Sequence, residues 1–181
     1  QGFFSIPGDV LTAFYIHVDY LRSIKDRMHS PVVVTADLGF AKKARNYAAK
    51  LDMPLTFIEK RRTSNNPTVK ALALIGEVKD SDCIIMDEEA ATGGTLETAV
   101  KVIKDKGARD IYMAFFHPIL SEGAAEMLAA LPVKEFITTD TIPISPEKKA
   151  IFGGRLTVVS VAGLLAEVIS RANQGRSVGE M

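Results

Sequence analysis

The sequence is poor in cysteine. Cys83 is the single cysteine among 181 residues, and it lies in the apolar run 83–86. One cysteine excludes a disulfide framework within the chain and argues against a zinc site. A lone cysteine inside an apolar run is typical of a small core residue. This cysteine usage predicts a reducing, cytoplasmic compartment.

Net charge and long hydrophobic runs are also missing. Lys+Arg and Asp+Glu number 22 each, so no net field draws the molecule to nucleic acid or to a membrane surface, and any anion site must be local. No apolar run approaches the ~20 residues that a membrane span needs, and we expect no signal peptide. The remaining composition, 47% apolar and 24% charged, is ordinary for a soluble globular protein with one sizeable core.

Short apolar runs alternate with helical patterns along the chain. Strands are predicted over residues 31–35, 55–58, 72–75, 83–86, 111–116, 136–139 and 157–159. Helices are predicted over residues 41–51, 96–103, 124–131 and 161–168, with Gly107 as the C-cap of the second and Ser160 as the N-cap of the last. Polar residues 59–68 predict a mobile loop. Strands alternating with helices indicate an α/β fold with a mostly parallel sheet flanked by helices.

The segment 84–100, IIMDEEAATGGTLETAV, carries the strongest sign of a binding site. Gly93 and Gly94 allow a phosphate to approach the backbone closely, and Thr92 and Thr95 add hydroxyl donors at the start of a helix. In parallel sheets, ligands lie beyond the carboxyl ends of the strands, where this turn is placed. The alternative is that the glycines only satisfy the geometry of an ordinary turn.

Three carboxylates, Asp87, Glu88 and Glu89, come just before that turn. They would repel a phosphate unless a cation or sugar hydroxyls stood between. Carboxylate oxygens beside a phosphate cradle therefore point to Mg²⁺ or to hydrogen bonds with ribose hydroxyls. A solvated acidic turn is the alternative.

Two further segments repeat parts of this logic. Asp37 and Gly39 follow a predicted strand and precede a helix, although Asp37 as a simple N-cap is the default interpretation. The cations 60–62 follow the next strand, where a mobile loop would close over phosphates and neutralise charge in a transition state. A solvated cationic loop is the alternative there.

These segments together resemble a known family. The acidic stretch with Thr92–Thr95 is similar to the PRPP-binding fingerprint of type I phosphoribosyltransferase folds. Within that group the chain most resembles the ribose-phosphate pyrophosphokinase (PRPP synthetase) family over nearly its whole length. The segments that carry the resemblance are 2–7, 60–62, 75–78, 87–95, 139–143 and 177–178.

The resemblance implies a reaction and a set of site residues. The reaction is transfer of pyrophosphate from Mg-ATP to ribose 5-phosphate, which makes PRPP for nucleotide biosynthesis. The implied ribose 5-phosphate-binding residues are Asp87, Glu88, Ala91, Thr92, Gly93, Gly94 and Thr95. Asp37, Leu38 and Gly39 would form the pyrophosphate loop, with Asp37 as the Mg²⁺ ligand, and Lys60 and Arg62 would be catalytic.

The chain departs from the family pattern at four positions. Glu88 replaces an aspartate, Ala91 replaces an acid, and Leu38 and Phe40 stand in a loop that is normally small and glycine-rich, where bulky side chains would crowd the phosphates. These departures favour an alternative, a non-catalytic regulatory subunit associated with PRPP synthetase. Lys60 and Arg62 favour the enzyme, since a site without activity has no need of them. A phosphoribosyltransferase that consumes PRPP is a third possibility.

Domain organisation follows from the same resemblance. Family members have two similar domains, and residues 1–181 resemble the second alone, so the chain is expected to pack against an N-terminal half and to form a homo-oligomer. Val10, Leu11, Phe14 and Val18 form an apolar face suited to such packing. The metal-binding histidine belongs to the first domain. The expected roles of this chain's histidines, His17, His29 and His117, are therefore structural or exposed.

Overall fold

A computed structural model of the chain describes residues 3, 5, 6, 8, 10–36, 38–62 and 70–179, with the side chains of 38, 60–62 and 70–72 left out. The strands are β1 (Val32–Thr35), β2 (Leu55–Arg62), β3 (Lys70–Ile75), β4 (Cys83–Glu89), β5 (Ile111–His117), β6 (Glu135–Thr139) and β7 (Leu156–Val159). The helices are α1 (Phe14–Lys25), α2 (Ala41–Leu51), α3 (Gly94–Asp105), α4 (Ala124–Ala129), α5 (Pro146–Ile151) and α6 (Ala162–Asn173), and a 3₁₀ turn (Leu38–Phe40) precedes α2.

The seven strands form one sheet in the order β3-β2-β1-β4-β5-β6-β7. All neighbouring pairs are parallel except β2 and β3, which are antiparallel. The predicted α/β fold with a mostly parallel sheet is therefore confirmed. The chain leaves β1 towards β2 on one side and later returns to place β4 on the other. This makes the carboxyl ends of β1 and β4 the switch point where ligands bind in such sheets.

Helices cover both faces of the sheet. On one face α1 and α2 pack over the central strands, and α2 contributes Ala44, Tyr47, Ala48 and Leu51 at helical spacing. On the other face α3 packs with Leu96, Ala99, Val100 and Ile103, next to α4. We call these the α2 face and the α3 face. Both buried layers are apolar, which supplies the main driving force for folding.

Strand β4 alternates between these two faces. Ile85 belongs to the buried cluster of the α3 face, whereas Ile84 and Met86 belong to that of the α2 face. Because side chains alternate along a strand and β4 runs to Glu89, the acidic residues follow the same rule. Asp87 and Glu89 therefore point to the α3 face, and Glu88 points to the α2 face.

Most predicted elements are confirmed, with corrections at three places. The loop predicted from Glu59 is wrong up to Arg62, since these residues pair with Ala73 to Lys70 in an antiparallel ladder, and residues 63–68 lie outside the described part. Backbone pairing with β3 outweighs their polar composition. Helices α1 and α5 were not predicted.

Cap residues show the third correction. The C-cap of α3 is Lys106, and Gly107, which was predicted for that role, follows it with φ of 86° and donates its N–H to Lys104 O at 2.9 Å. Ser160, however, is not the N-cap of α6, which is Val161. Asp140, at the end of the neighbouring strand, accepts the Val161 N–H at 2.8 Å.

Within the described residues, none of the helices combines the length and apolar character needed to cross a bilayer.

Candidate functional site

The carboxyl end of β4 borders a polar cleft of about 560 Å³. The cleft contains every residue predicted to bind ribose 5-phosphate except Gly94, together with Glu89 and Leu96. Its lining is Asp87, Glu88, Glu89, Ala91, Thr92, Gly93, Thr95 and Leu96. The fold thus gathers the acidic stretch and the Thr92–Thr95 turn in one place.

Backbone hydrogen bonds hold the turn against the loop that follows β5. The Ala90 N–H donates to His117 O at 3.0 Å, and Ala90 O accepts the Leu120 N–H at 2.8 Å. Ala91 O accepts the Ser121 N–H at 3.0 Å. These bonds satisfy backbone groups that would otherwise be costly to bury, and they do not depend on charge. The turn is therefore positioned before any ligand arrives.

The two glycines of the turn have different roles. Gly93 has φ of 81°, and a Cβ there would lie 2.4 Å from Met127 Cε and 3.1 Å from Leu128 Cδ2 on α4. Only glycine combines that backbone conformation with such close packing. A Cβ on Gly94 would meet no atom within 4 Å, and its φ is not in the left-handed region. Gly94 instead leaves open space at the first residue of α3.

The turn presents hydrogen-bond donors to the cleft. The Glu97 N–H donates to Gly93 O at 2.9 Å, so helix geometry leaves the N–H groups of residues 94–96 without an intrahelical partner. Within the described part of the chain, the hydroxyls of Thr92 and Thr95 have no hydrogen-bond partner either. Unpaired N–H groups at a helix start, with its positive dipole end, form a favourable environment for an anion.

The carboxylates divide between the two faces. Asp87 Oδ1 accepts the Glu88 N–H at 2.7 Å, and the Asp87 side chain points to the α3 face, where the turn lies. Glu88 instead forms an ion pair with Lys43 of α2, with 2.7 Å between Glu88 Oε1 and Lys43 Nζ. Lys43 was not identified from the sequence, because the two residues are far apart along the chain and nothing in the pattern couples them.

The corner after β1 is described only in part. Asp37, the predicted metal ligand, and the side chain of Leu38 lie outside the described residues, while Leu38 and Gly39 open the 3₁₀ turn. Phe40 is 4% exposed and stacks on Tyr47 with ring centroids 6.4 Å apart. The expectation that this ring crowds the phosphates is therefore wrong, because it packs in the core of the α2 face.

The predicted catalytic residues, Lys60 and Arg62, lie in β2, and their side chains are outside the described part. Thr35, the last residue of β1, aligns with Phe57 of β2. Strand β2 therefore continues for five residues beyond the carboxyl end of β1. The backbone of both residues therefore lies beyond the carboxyl end of β1, at the edge of the sheet where the parallel strand β4 also ends.

The histidines have the structural or exposed positions that were expected. His17 is fully buried, stacks on Phe116 at 4.1 Å, and has its pKa lowered to about 4 by burial. His117 Nδ1 lies 3.0 Å from Thr141 Oγ1, and His29 is exposed. Among the described residues, no group of three or more His, Cys, Asp or Glu side chains is arranged to hold a metal ion.

A second, largely apolar cavity of about 1060 Å³ lies on the α2 face. Its walls include Val10, Leu11 and Phe14, three of the residues of the apolar face identified in the sequence. Val10 is 78% exposed and Leu11 41%, whereas Val18 is buried in the core and cannot take part in such packing. The surface available to a partner is therefore smaller than predicted.

Fold and site together define a class of protein. The structure is similar to that of an orotate phosphoribosyltransferase from Aeropyrum pernix, with a TM-score of 0.52, 19% identity, and coverage of 87% of this chain and 76% of that one. At this identity the similarity concerns the fold alone. The chain has the type I phosphoribosyltransferase fold.

The family follows from closer similarities. Residues 61–181 match the model of the phosphoribosyl synthetase-associated domain. The chain is 41% identical to a ribose-phosphate pyrophosphokinase of Burkholderia pseudomallei, over 98% of this chain and 54% of that protein. It also matches a phosphoribosylpyrophosphate synthetase structure from Mycobacterium smegmatis, with a TM-score of 0.85, 34% identity, and coverage of 97% and 55%. The chain belongs to the PRPP synthetase family, as the resemblance predicted, and spans about half the length of these relatives.

Proposed function

We propose that this chain is the ribose 5-phosphate-binding half of a ribose-phosphate diphosphokinase, which transfers pyrophosphate from ATP to ribose 5-phosphate to make PRPP. The observation that carries the proposal is the Thr92–Thr95 turn, held in place at the start of α3 with its donors facing a polar cleft. The names of the relatives agree with this substrate and product.

The 5-phosphate is the part of the substrate that fits the turn. A phosphate dianion has three acceptor oxygens, and the start of α3 offers the N–H groups of residues 94–96 and the hydroxyls of Thr92 and Thr95. Gly94 keeps the approach to this backbone open. Since the bonds of the turn to the loop after β5 are already made, binding costs little reorganisation.

The sugar and a magnesium ion would meet the carboxylates. Mg²⁺ is usually held by one or two carboxylates together with substrate phosphates, and Asp87 in the lining of the cleft is such a carboxylate. Asp87 and Asp37 are the residues that would hold it, and it would supply neutralising charge to the phosphates. Glu88 was predicted to face the ribose hydroxyls or a metal.

The remaining groups of the active site would come from the corner after β1 and from the β2–β3 hairpin. Asp37, Leu38 and Gly39 would form the pyrophosphate loop, and Lys60 and Arg62 would stabilise the phosphoryl groups in transfer. The β2 backbone extends past the carboxyl end of β1, at the edge of the sheet where β4 also ends, which supports this role. Such catalysis depends on positioning and electrostatics rather than covalent chemistry.

The proposal extends to partners. Because the chain spans about half of its relatives, an N-terminal half would complete the ATP site and cover the exposed residues Val10 and Leu11 beside the apolar cavity. Homo-oligomerisation and a cytoplasmic location belong to the same proposal. Nucleotide biosynthesis would be the use of the product.

A non-catalytic regulatory subunit remains a second candidate. Ala91 lies half-buried in the cleft wall where the resemblance implies an acid, and a methyl group offers neither a hydrogen bond nor a proton. A protein of this kind would bind ribose 5-phosphate without making PRPP. Binding and turnover must therefore be measured separately.

Calorimetric titration of the 181-residue chain with ribose 5-phosphate tests the binding function. We expect saturable binding, with ribose alone much weaker because it lacks the phosphate. No binding of ribose 5-phosphate would contradict the proposal. For the enzyme, AMP release from ATP and ribose 5-phosphate is measured with the protein that includes the N-terminal half. Binding without AMP supports the regulatory subunit, and pyrophosphate release from PRPP and a nucleobase supports a phosphoribosyltransferase.

A further inference from the structure

Two of the departures from the family pattern meet at one lysine. Lys43 lies in the first turn of α2, just after the corner that follows β1. Its Nζ is 2.7 Å from Glu88 Oε1 and 5.8 Å from the centroid of the Phe40 ring. Phe40 and Glu88, both unusual for the family, are thus joined through the same ammonium group.

The direction of Glu88 is set by the strand. Alternation along β4 places Glu88 on the α2 face with Met86, opposite to Asp87 and the Thr92–Thr95 turn. Burial raises the pKa of Tyr47 on α2, and the Glu88 carboxylate raises this pKa further, as expected of a negative charge on that face. Glu88 also lines both the polar cleft and the apolar cavity, so it stands at the boundary between the two.

Side-chain length explains the pairing. Glutamate is one methylene longer than the aspartate expected here. The additional length lets its carboxylate contact α2, the helix that follows the neighbouring strand β1. Phe40 is buried beneath the start of α2, and its ring provides a favourable face for the ammonium group. Both side chains of the ion pair are 55% exposed, so its contribution to overall stability is small.

We propose that Lys43 is a positioning residue that ties the start of α2, and the pyrophosphate-loop segment before it, to the carboxyl end of β4. Glu88 serves this tie instead of the ribose hydroxyls, which leaves Asp87 and Glu89 as the carboxylates on the side of the turn. This inference rests on the proposed function, since it assigns one phosphate end of PRPP to each corner. The Lys43–Glu88 ion pair then sets the distance between the two corners that bind these phosphate ends.

The ligand pair of PRPP and ribose 5-phosphate separates this role from general stabilisation. PRPP spans both corners, whereas ribose 5-phosphate engages the Thr92–Thr95 turn with its phosphate. We expect Lys43→Met to weaken PRPP binding about fivefold, the effect of losing roughly one surface ion pair, and to leave ribose 5-phosphate affinity within about twofold. Lys43→Arg retains the charge and should restore PRPP affinity.

A double-mutant cycle identifies the partner. Glu88→Gln should weaken PRPP binding as much as Lys43→Met, and the double variant should lose no more than either single change. Lys134→Met is the matched control, because Lys134 pairs with Asp110 at 2.6 Å with similar exposure, at the amino end of the sheet. Lys134→Met should change neither the affinity for PRPP nor the affinity for ribose 5-phosphate.

Three results would overturn the tie. Equal losses of PRPP and ribose 5-phosphate affinity in Lys43→Met would make Lys43 a ligand contact. A loss of ribose 5-phosphate affinity in Glu88→Gln but not in Lys43→Met would make Glu88 a contact of the sugar. Additive losses in the double variant would show that the two residues act separately.

Hydrogen exchange in the absence of ligand keeps this inference distinct from the proposed function. If the unaltered chain binds neither ligand, the proposed function fails, and the tie is then judged from amide exchange alone. Lys43→Met and Glu88→Gln should both accelerate exchange of the amides at residues 39–43, and Lys134→Met should not. Unchanged exchange in the first two variants would contradict the tie.

Discussion

Two strand-to-helix corners, after β4 and after β1, reach the same edge of the sheet but are held in different ways. The β4 corner is fixed by backbone hydrogen bonds to the loop after β5 and by the packing of Gly93 under α4. The β1 corner is held by a buried ring, Phe40, and by an exposed ion pair, Lys43–Glu88. Among the described contacts, backbone groups without net charge position the β4 corner, whereas the β1 corner includes side-chain contacts that a single substitution removes.

This difference suggests that the two corners have different functions. A phosphate that stays on the sugar throughout the proposed reaction needs a fixed cradle, which the β4 corner offers. A pyrophosphoryl group that arrives and is transferred needs a corner that adjusts, and side-chain contacts allow more adjustment than a backbone ladder. Substitutions at the two corners and a change of pH test this difference.

Replacing Phe40 with alanine should remove a buried side chain that supports the β1 corner. We expect the free energy of unfolding to fall by about 3 to 5 kcal/mol, because a buried aromatic ring leaves a cavity against Tyr47. Urea denaturation measures the loss. Tyr15→Ala is the control, since Tyr15 is 49% exposed and should cost far less. Equal costs at the two positions would mean that Phe40 is not a core residue.

Acid should weaken the α2 face through His17. Burial lowers the pKa of His17 from 6.5 to about 4. Between pH 6.5 and about pH 4, His17 is therefore mostly protonated in the unfolded chain and mostly neutral in the folded chain. Stability is therefore full above about pH 6.5 and falls by about 2 to 3 kcal/mol as the pH drops to about 4.

Denaturation curves across that range check the expectation, and His17→Leu should flatten the slope. The carboxyl groups of Asp110 and Asp140 also have lowered pKa values, through hydrogen bonds from Lys134 and Ser160 respectively. Their contribution is lost only below their ordinary value of 3.8, outside the window of His17. An unchanged slope in His17→Leu would contradict the assignment.

Replacing Gly93 with alanine tests the packing of the β4 corner. The expected cost is about 2 kcal/mol in the free energy of unfolding, from the left-handed φ and the contact with Met127 and Leu128. Gly94→Ala is the matched control, because its Cβ meets open space and stability should change little. Affinity for ribose 5-phosphate should fall in Gly94→Ala nonetheless, since the methyl group occupies the phosphate approach. Retained affinity would place the phosphate elsewhere.

Thr95→Val should produce a small, local effect. Loss of one hydroxyl donor to a charged phosphate should lower ribose 5-phosphate affinity about tenfold without a change in stability. Thr98→Val is the control, since the Thr98 hydroxyl donates to Gly94 O at 2.8 Å within the same helix. Calorimetry measures the ribose 5-phosphate affinity of both variants. Equal affinities would mean that the Thr95 hydroxyl does not bind the phosphate.

The local sequence pattern was enough to predict much of the fold of this protein. Apolar runs and helical spacing predicted the parallel strands and the helices after β1, β4 and β5, because burial on a sheet face or a helix stripe leaves a period in the sequence. The Thr-Gly-Gly-Thr turn was predicted as a phosphate cradle for the same reason, because such a cradle needs small residues and donors within a few positions. The fingerprint of the family could be identified from these short segments.

Contacts between distant segments decided the rest. The β2 ladder extends through Arg62 because β3 pairs with it, and a polar sequence cannot reveal such a partner. Gly93 and Gly94 look alike in the sequence, yet only Gly93 is enclosed by α4. The turning of Glu88 towards Lys43 depends on which helix covers each face of β4. Tertiary structure settled these points because each depends on a neighbour brought close only by folding.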